Sequence, residues 1–253
     1  FAHVPMILGA DGKKLSKRHG ATAVGDYQDQ GILPAAMRNF LALLGWSPGG
    51  DREIIPADEM IALFTLEGIQ KKAAVFDTTK LEWMNGQYLS ALPAAELLEP
   101  VQRQLGLMGV RADGVDLRPV IDSVKARSRT VLHVAEQVAV RLDPARARLD
   151  GKGEALLTKM GPAFATNLKQ AADVLDALVP AEWTAESILA ALKSMAETGG
   201  LKLGDALQPI RVALTGSTVS EPVNELLHVV GRERSIAHIR HVADRGRPGE
   251  SAA

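Results

Sequence analysis

Residues 34–45 read PAAMRNFLALLG. Pro34 suits a first helical turn, where its missing N–H costs little. Met37, Phe40, Leu41 and Leu44 then recur at i, i+3, i+4 and i+7, which predicts a single apolar helix face. Gly45 is placed to stop the helix. The same grammar of capped start, helical period and glycine stop recurs along the chain and predicts a mainly α fold.

Strand propensity is scarce on either side of that segment. The best candidate is VPMIL at Val4 to Leu8, followed by Gly9 and the turn-forming pair Asp11-Gly12. Further on, Pro56 opens a helix with Met60, Ile61 and Phe64 as its expected buried face. Asp77 is an N-cap for a helix carrying Leu81 and Met84, and Asn85-Gly86 is expected to end it. Leu97, Leu98, Val101 and Leu105 give the next helical spacing. Val120, Val124, Val131, Val134 and Val138 predict one or two more helices.

The polar, glycine-bearing run DPARARLDGKG, Asp143 to Gly153, reads as a linker or subdomain boundary. Beyond it, Leu156, Met160 and Phe164, then Leu168, Val174, Leu175 and Leu178, have helical spacing. Thr184 reads as an N-cap, with Trp183 and Ile188 placed for a hydrophobic staple. Leu207, Ile210 and Leu214 mark a helix closed by Gly216. Val223, Leu226, Leu227 and Val230 mark another closed by Gly231. Ser235 is expected to cap the last helix, and the tail from Arg245 to fray.

Composition narrows the function. The net charge of −1 supplies no global attraction for an anionic polymer, so any nucleic-acid contact must come from local patches. The absence of Cys excludes disulfides, thiolate chemistry and cysteine-ligated zinc. The six His show no ligand spacing beside an acid, so no metal site is expected. No apolar run approaches a membrane span of roughly 18–20 residues, and no membrane partner is expected. Phe1 has no Met before it and no signal pattern follows. The expectation is a cytoplasmic, monomeric protein, or part of one, beginning mid-chain.

Charge is segregated along the chain. Lys125, Arg127, Arg129, Arg141, Arg146 and Arg148 outweigh Glu136 and Asp143. The five Arg between Gly231 and Arg247 outweigh Glu233 and Asp244, whereas acids dominate Asp173 to Thr198. This fits one basic and one acidic face, or simply solvated helix surface. The densest cluster is DGKKLSKRHG, Asp11 to Gly20. Lysines on a glycine-flanked turn can fold over a polyphosphate, each ammonium offering three donors to phosphate oxygens. No Walker motif is present. A lysine-rich turn is more often a plain exposed loop, and the residues alone leave both readings open.

Lys14-Leu15-Ser16-Lys17-Arg18 resembles the K-M-S-K-S loop of class I aminoacyl-tRNA synthetases. The longer run KLSKRHGATAVGDYQDQGILPAAMRNFLALLGWSPG is similar to bacterial glutamyl-tRNA synthetases. So are VFDTTKLEWMNGQYL, from Val75, and GLKLGDALQPIRVALTG, from Gly200, with GRERSI after it. These blocks stand in family order from Lys14 to about Arg240.

The resemblance implies a helical stem-contact domain followed by an all-helical anticodon-binding region, with a short strand and loop remnant at the N-terminus. It implies boundaries at residues 1–22 for the end of the catalytic domain and 23–91 for the stem-contact domain. Two anticodon-binding subdomains follow, at 92–150 and 151–253. It implies ATP and Mg²⁺ as requirements of the full-length enzyme, glutamate as substrate and tRNA-Glu as partner. Lys14, Ser16 and Lys17 would form the phosphate-binding loop, with Lys17 on the ATP phosphates. The family's Rossmann domain is absent from these residues, so this stretch alone is expected to bind no cofactor and not to aminoacylate.

The resemblance also marks anticodon contacts. Arg127 falls where discriminating members place an arginine that reads the last anticodon base, the alternative being a phosphate contact or surface charge. Arg211, in QPIRVALTG, falls at a second anticodon arginine. Ser220 and Val223 fall at further contacts, although the local TVSEPV departs from the commoner pattern. Trp46 and Trp83 read as core residues rather than stacking platforms. Two other functions fit the chain: a non-discriminating synthetase acting on tRNA-Glu and tRNA-Gln, and a non-catalytic helical scaffold. The scaffold leaves the lysine loop and the block order without a reason.

Overall fold

A computed structural model describes residues 3–16 and 23–249. Among them the fold is mainly helical, with thirteen α-helices and a two-stranded parallel sheet. The chain divides into two compact units. One comprises the described residues up to Gln104 with Lys125–Ala135; the other comprises Leu105–Val124 and the described residues from Glu136 onward.

In the first unit, β1 (Ile7–Leu8) pairs in parallel with β2 (Ala74–Val75). The Asp11-Gly12 turn forms as its sequence requires. Gly12 takes φ +72°, Asp11 Oδ1 accepts the Lys13 N–H at 3.0 Å, and Lys14 folds back to bridge Leu8. The first helix, α1, spans Val24–Asp29, and α2 spans Pro34–Leu43 with Pro34 in its first turn. Met37, Phe40 and Leu44 enter a core with Tyr27, Ile32, Phe76, Leu81 and Met84.

The predicted apolar face of α2 is only partly right. Leu41 is 38% exposed, while Asn39 is fully buried. The Asn39 Oδ1 accepts the Ile55 N–H at 2.8 Å and the Tyr88 hydroxyl at 2.9 Å, so a polar residue takes the inward place to hold a loop. The helix after Pro56, α3 (Ala57–Leu63), buries none of its residues. Ile61 is 79% exposed and Phe64 54%. Spacing alone does not bury a face, since the similarly short helix Val223–Val230 buries its own; here Glu59 forms an exposed bidentate pair with Arg52 at 2.5 and 2.7 Å.

Asp77 caps α4 (Thr78–Ala91) by accepting the Thr79 and Lys80 N–H groups. Contrary to expectation, Asn85-Gly86 lies inside this helix and is buried. Asn85 Oδ1 accepts the Leu33 N–H at 2.8 Å. Its Nδ2 donates to the carbonyls of Gly31 at 3.2 Å and Arg129 at 2.7 Å. A Cβ on Gly86 would lie 3.2 Å from both the Arg129 side chain and the Ser128 carbonyl. The pair reads as a turn locally but serves a tertiary junction. Three helices follow: α5 (Ala94–Leu107), α6 (Arg118–Lys125) and α7 (Val131–Leu142).

The second unit adds α8 (Gly151–Met160), α9 (Pro162–Asp176), α10 (Ala185–Thr198), α11 (Leu203–Thr215), α12 (Val223–Val230) and α13 (Arg232–Arg245). Phe164, Leu168, Leu175, Ile188, Leu192, Ile210, Leu226 and Ile239 are among its core residues. Thr184 caps α10, and Trp183 and Ile188 are both buried beside it. The run Asp143 to Gly153 is not a free linker. Ala147 is fully buried, and a Cβ on Gly153 would fall 2.4 Å from the Gly216 carbonyl oxygen. Ser235 does not cap α13: Gly231, at φ +90°, both ends α12 and starts α13, leaving Ser235 buried in the helix. The tail is tied down through Gly249 rather than frayed. Arg247 pairs with Glu154 at 2.7 Å, and Arg148 Nη1 donates to the Gly249 carbonyl at 3.1 Å.

Candidate nucleic-acid interface

Arg211 lies in the last turns of α11, which Gly216 ends at φ +73°. No side chain fits there, because a Cβ would meet the Arg148 carbonyl oxygen at 1.9 Å. The Gly216 carbonyl in turn accepts the Asp150 N–H at 3.0 Å. The chain leaving α11 is thereby pinned at Gly216, and residues 217–222 form the loop before α12.

The Arg211 guanidinium lies along that loop. Its Nε donates to Ser220 Oγ at 3.0 Å, Nη1 to the Thr218 carbonyl at 3.4 Å and Nη2 to the Glu221 carbonyl at 3.5 Å. Ser220 Oγ donates to the Glu221 carbonyl at 2.8 Å. Two residues that the family resemblance marks are thus one hydrogen-bonded unit. A guanidinium held flat by its edge presents a planar face, which is suited to stacking on a base, and is pre-organised for hydrogen bonding. Val223, the first residue of α12, is 2% exposed and its side chain lies in the core. Any contact there runs through backbone or neighbours.

Beneath the loop lies an ion pair that sequence reasoning missed. Arg141, on α7, donates Nε to Glu221 Oε1 at 3.0 Å and Nη2 to Oε2 at 2.6 Å. Both side chains are 2% exposed. Arg141 Nη1 also donates to Gln137 Oε1 at 2.7 Å. In the sequence, Arg141 is one of six cations in a basic stretch, and nothing local distinguishes it from the others.

In the other unit, Arg127 sits in the turn after α6, exposed, next to the buried Ser128. That turn is well held. The Ser128 N–H donates to the Lys125 carbonyl at 3.1 Å, the Val131 N–H to the Gly31 carbonyl at 2.9 Å, and Asn85 grips Arg129. Lys14 is exposed at the end of the β1 hairpin and Ser16 is half-buried; Lys17 lies outside the described residues. Trp46 is buried, and Trp83 packs against the core of the first unit.

The basic stretch at α13 is largely neutralised internally. Arg232 pairs with Asp176 at 2.7 Å and also donates to the Leu178 carbonyl, just past the end of α9. Arg234 donates to the Leu142 carbonyl, and Arg240 pairs with Asp176 at 2.9 Å. Among the described residues no group of three His, Asp or Glu gathers to hold a metal, and no helix is long and apolar enough to cross a membrane.

Comparison with known proteins identifies the family. The sequence matches the anticodon binding domain family over residues 93–243. It matches the catalytic domain of class I tRNA synthetases (E and Q) over residues 1–83. Glutamate–tRNA ligase 1 of Syntrophus aciditrophicus is 42% identical over 241 residues, covering 95% of this chain and 50% of that protein. Glutamate–tRNA ligase 1 of Methylorubrum extorquens is 41% identical, covering 95% and 51%. The crystal structure of a glutamate tRNA ligase from Elizabethkingia meningosepticum, in complex with its amino acid, superposes with a TM-score of 0.80. It is 28% identical and covers 96% of this chain and 51% of that one. The chain spans about half the length of the curated relatives it matches. It belongs to the anticodon-binding-domain family and, with the end of a class I (E and Q) catalytic domain ahead of that domain, corresponds to the carboxy-terminal half of a glutamate–tRNA ligase.

Proposed function

We propose that this chain binds tRNA-Glu, with Arg211 and Ser220 contacting the anticodon from the second unit and Arg127 from the first. The observation that carries the reading is the Arg211–Ser220 hydrogen bond at 3.0 Å, which joins two predicted contacts into one rigid platform. Val223 supports that platform from the core. Residues 23–91 brace the tRNA stem, and residues 92–150 and 151–253 receive the anticodon arm. Arg127 favours a discriminating enzyme over one that also charges tRNA-Gln.

In the longer proteins, ATP with Mg²⁺ would supply the activation of glutamate. Lys14, Ser16 and Lys17 belong to that step. Exposed Lys14, at the end of a glycine-flanked hairpin, suits a cation that meets phosphate charge. The chain alone binds tRNA without charging it, and detectable ATP–pyrophosphate exchange would contradict this.

The test is a binding titration of tRNA-Glu against transcripts with one anticodon base substituted, repeated with Arg127→Ala and Arg211→Ala. Each variant should lose roughly 5- to 150-fold in discrimination at one base, equivalent to about 1–3 kcal/mol. Equal weakening across all transcripts would make these arginines phosphate contacts. Equal affinity of the unaltered chain for tRNA-Glu and an unrelated RNA would remove the reading altogether.

A further inference from the structure

We propose that the buried Arg141–Glu221 ion pair is a positioning device that sets the Arg211 guanidinium for base recognition. The proposal rests on the reading of Arg211 as an anticodon contact. Glu221 works through both its ends. Its carboxylate is held by Arg141 at 2.6 and 3.0 Å, while its backbone carbonyl receives the Ser220 hydroxyl at 2.8 Å and Arg211 Nη2 at 3.5 Å. One residue therefore links α7 to the guanidinium platform. Gln137, one helical turn before Arg141, fixes the arginine in turn through a 2.7 Å bond to its Nη1.

The loop needs such a hold. Ser217, Thr218 and Ser220 are small and polar, and Val219 is 62% exposed, so none of them anchors the loop in the core. Burying two charges carries a desolvation cost, and apolar residues of similar size often replace such a pair without loss of stability. What they cannot replace is direction: the bidentate geometry fixes where the Glu221 backbone lies. A guanidinium displaced by an ångström still attracts RNA, but no longer meets one base in the right orientation. Arg141 and Glu221 are accordingly assigned no contact with RNA themselves.

The experiment compares the Arg141→Met/Glu221→Leu double variant, Glu221→Gln, Arg141→Lys and Arg211→Ala. Each is titrated with tRNA-Glu and with a transcript substituted at the anticodon base that Arg211→Ala ceases to distinguish. Melting is followed in parallel. The double variant is expected to keep or raise its Tm, yet lose at least fivefold in the affinity ratio between the two RNAs. Adding Arg211→Ala to it should cost little further discrimination. Glu221→Gln leaves the Arg141 charge buried without its partner and should lower both the ratio and the Tm. Arg141→Lys, which keeps the charge but not the bidentate fork, should lose part of the ratio and serves if the other pair variants do not fold. A ratio unchanged within twofold in the pair variants, with Arg211→Ala still reducing it, overturns the positioning role alone. No change in the ratio at any anticodon base with Arg211→Ala overturns the reading of Arg211 and this proposal together.

Discussion

His238 shows how one side chain ties stability to pH. It lies on α13, 8% exposed, with Nε2 3.1 Å from the Ala213 carbonyl. A carbonyl only accepts, so the neutral ring carries its proton on Nε2. Burial pushes the imidazole below its ordinary value of 6.5, the Ala213 bond opposes that, His241 adds to it and Asp143 counters it. With the folded value below the unfolded one, the unfolded chain takes up the proton first as pH falls. This contribution to stability is whole above about 6.5, declines below that value, and levels off beneath the folded value. Urea denaturation between pH 7.5 and about 5 should show that decline. His238→Gln, whose amide can still reach the Ala213 carbonyl, should flatten it. A decline of equal steepness in the variant would assign the effect to other groups.

At the scale of elements, α4 marks the boundary of what local sequence can say. Its start was legible, because Asp77 capping depends only on residues two and three positions on. Its middle was not. Asn85-Gly86 is a turn signal to anything that reads neighbours, yet its partners Gly31, Leu33 and Arg129 are remote in sequence. The same holds for α3: spacing predicted an apolar face, but whether a face is buried depends on what the chain brings opposite it. At the candidate interface, Arg211 and Ser220 were found through family likeness, whereas Arg141 and Glu221 needed three-dimensional pairing to stand out. The α4 junction gives a direct test. Asn85→Ala removes three hydrogen bonds and takes this partner from the Leu33 N–H and the Arg129 carbonyl, while the Gly31 carbonyl keeps the Val131 N–H. It should destabilise the first unit by about 2–4 kcal/mol. Fluorescence-detected unfolding of Trp46 and Trp83, with Trp183 replaced by Phe, would measure it. A loss below about 0.5 kcal/mol would mean that other groups satisfy those partners.

Over the whole molecule, the question is which cations meet RNA phosphate. The net charge of −1 gives no general attraction, so affinity depends on local basic groups. In sequence α13 looks like the second basic surface, but its Arg240 is turned to Asp176 at 2.9 Å and Asp173 at 3.7 Å. Removing Arg240 deletes one positive charge and leaves two acids less neutralised, while the exposed pair itself contributes only about 0–1 kcal/mol to stability. If α13 carries no phosphate contact, Arg240→Ala should leave tRNA affinity within about threefold. It should also leave the slope of log affinity against log salt unchanged, since each lost phosphate contact lowers that slope by roughly one. Titrations from about 50 to 200 mM salt resolve such a difference. A slope shallower by about one unit in Arg240→Ala would place a phosphate on α13, outside the platform proposed at Arg211. An unchanged slope would exclude a phosphate contact at Arg240.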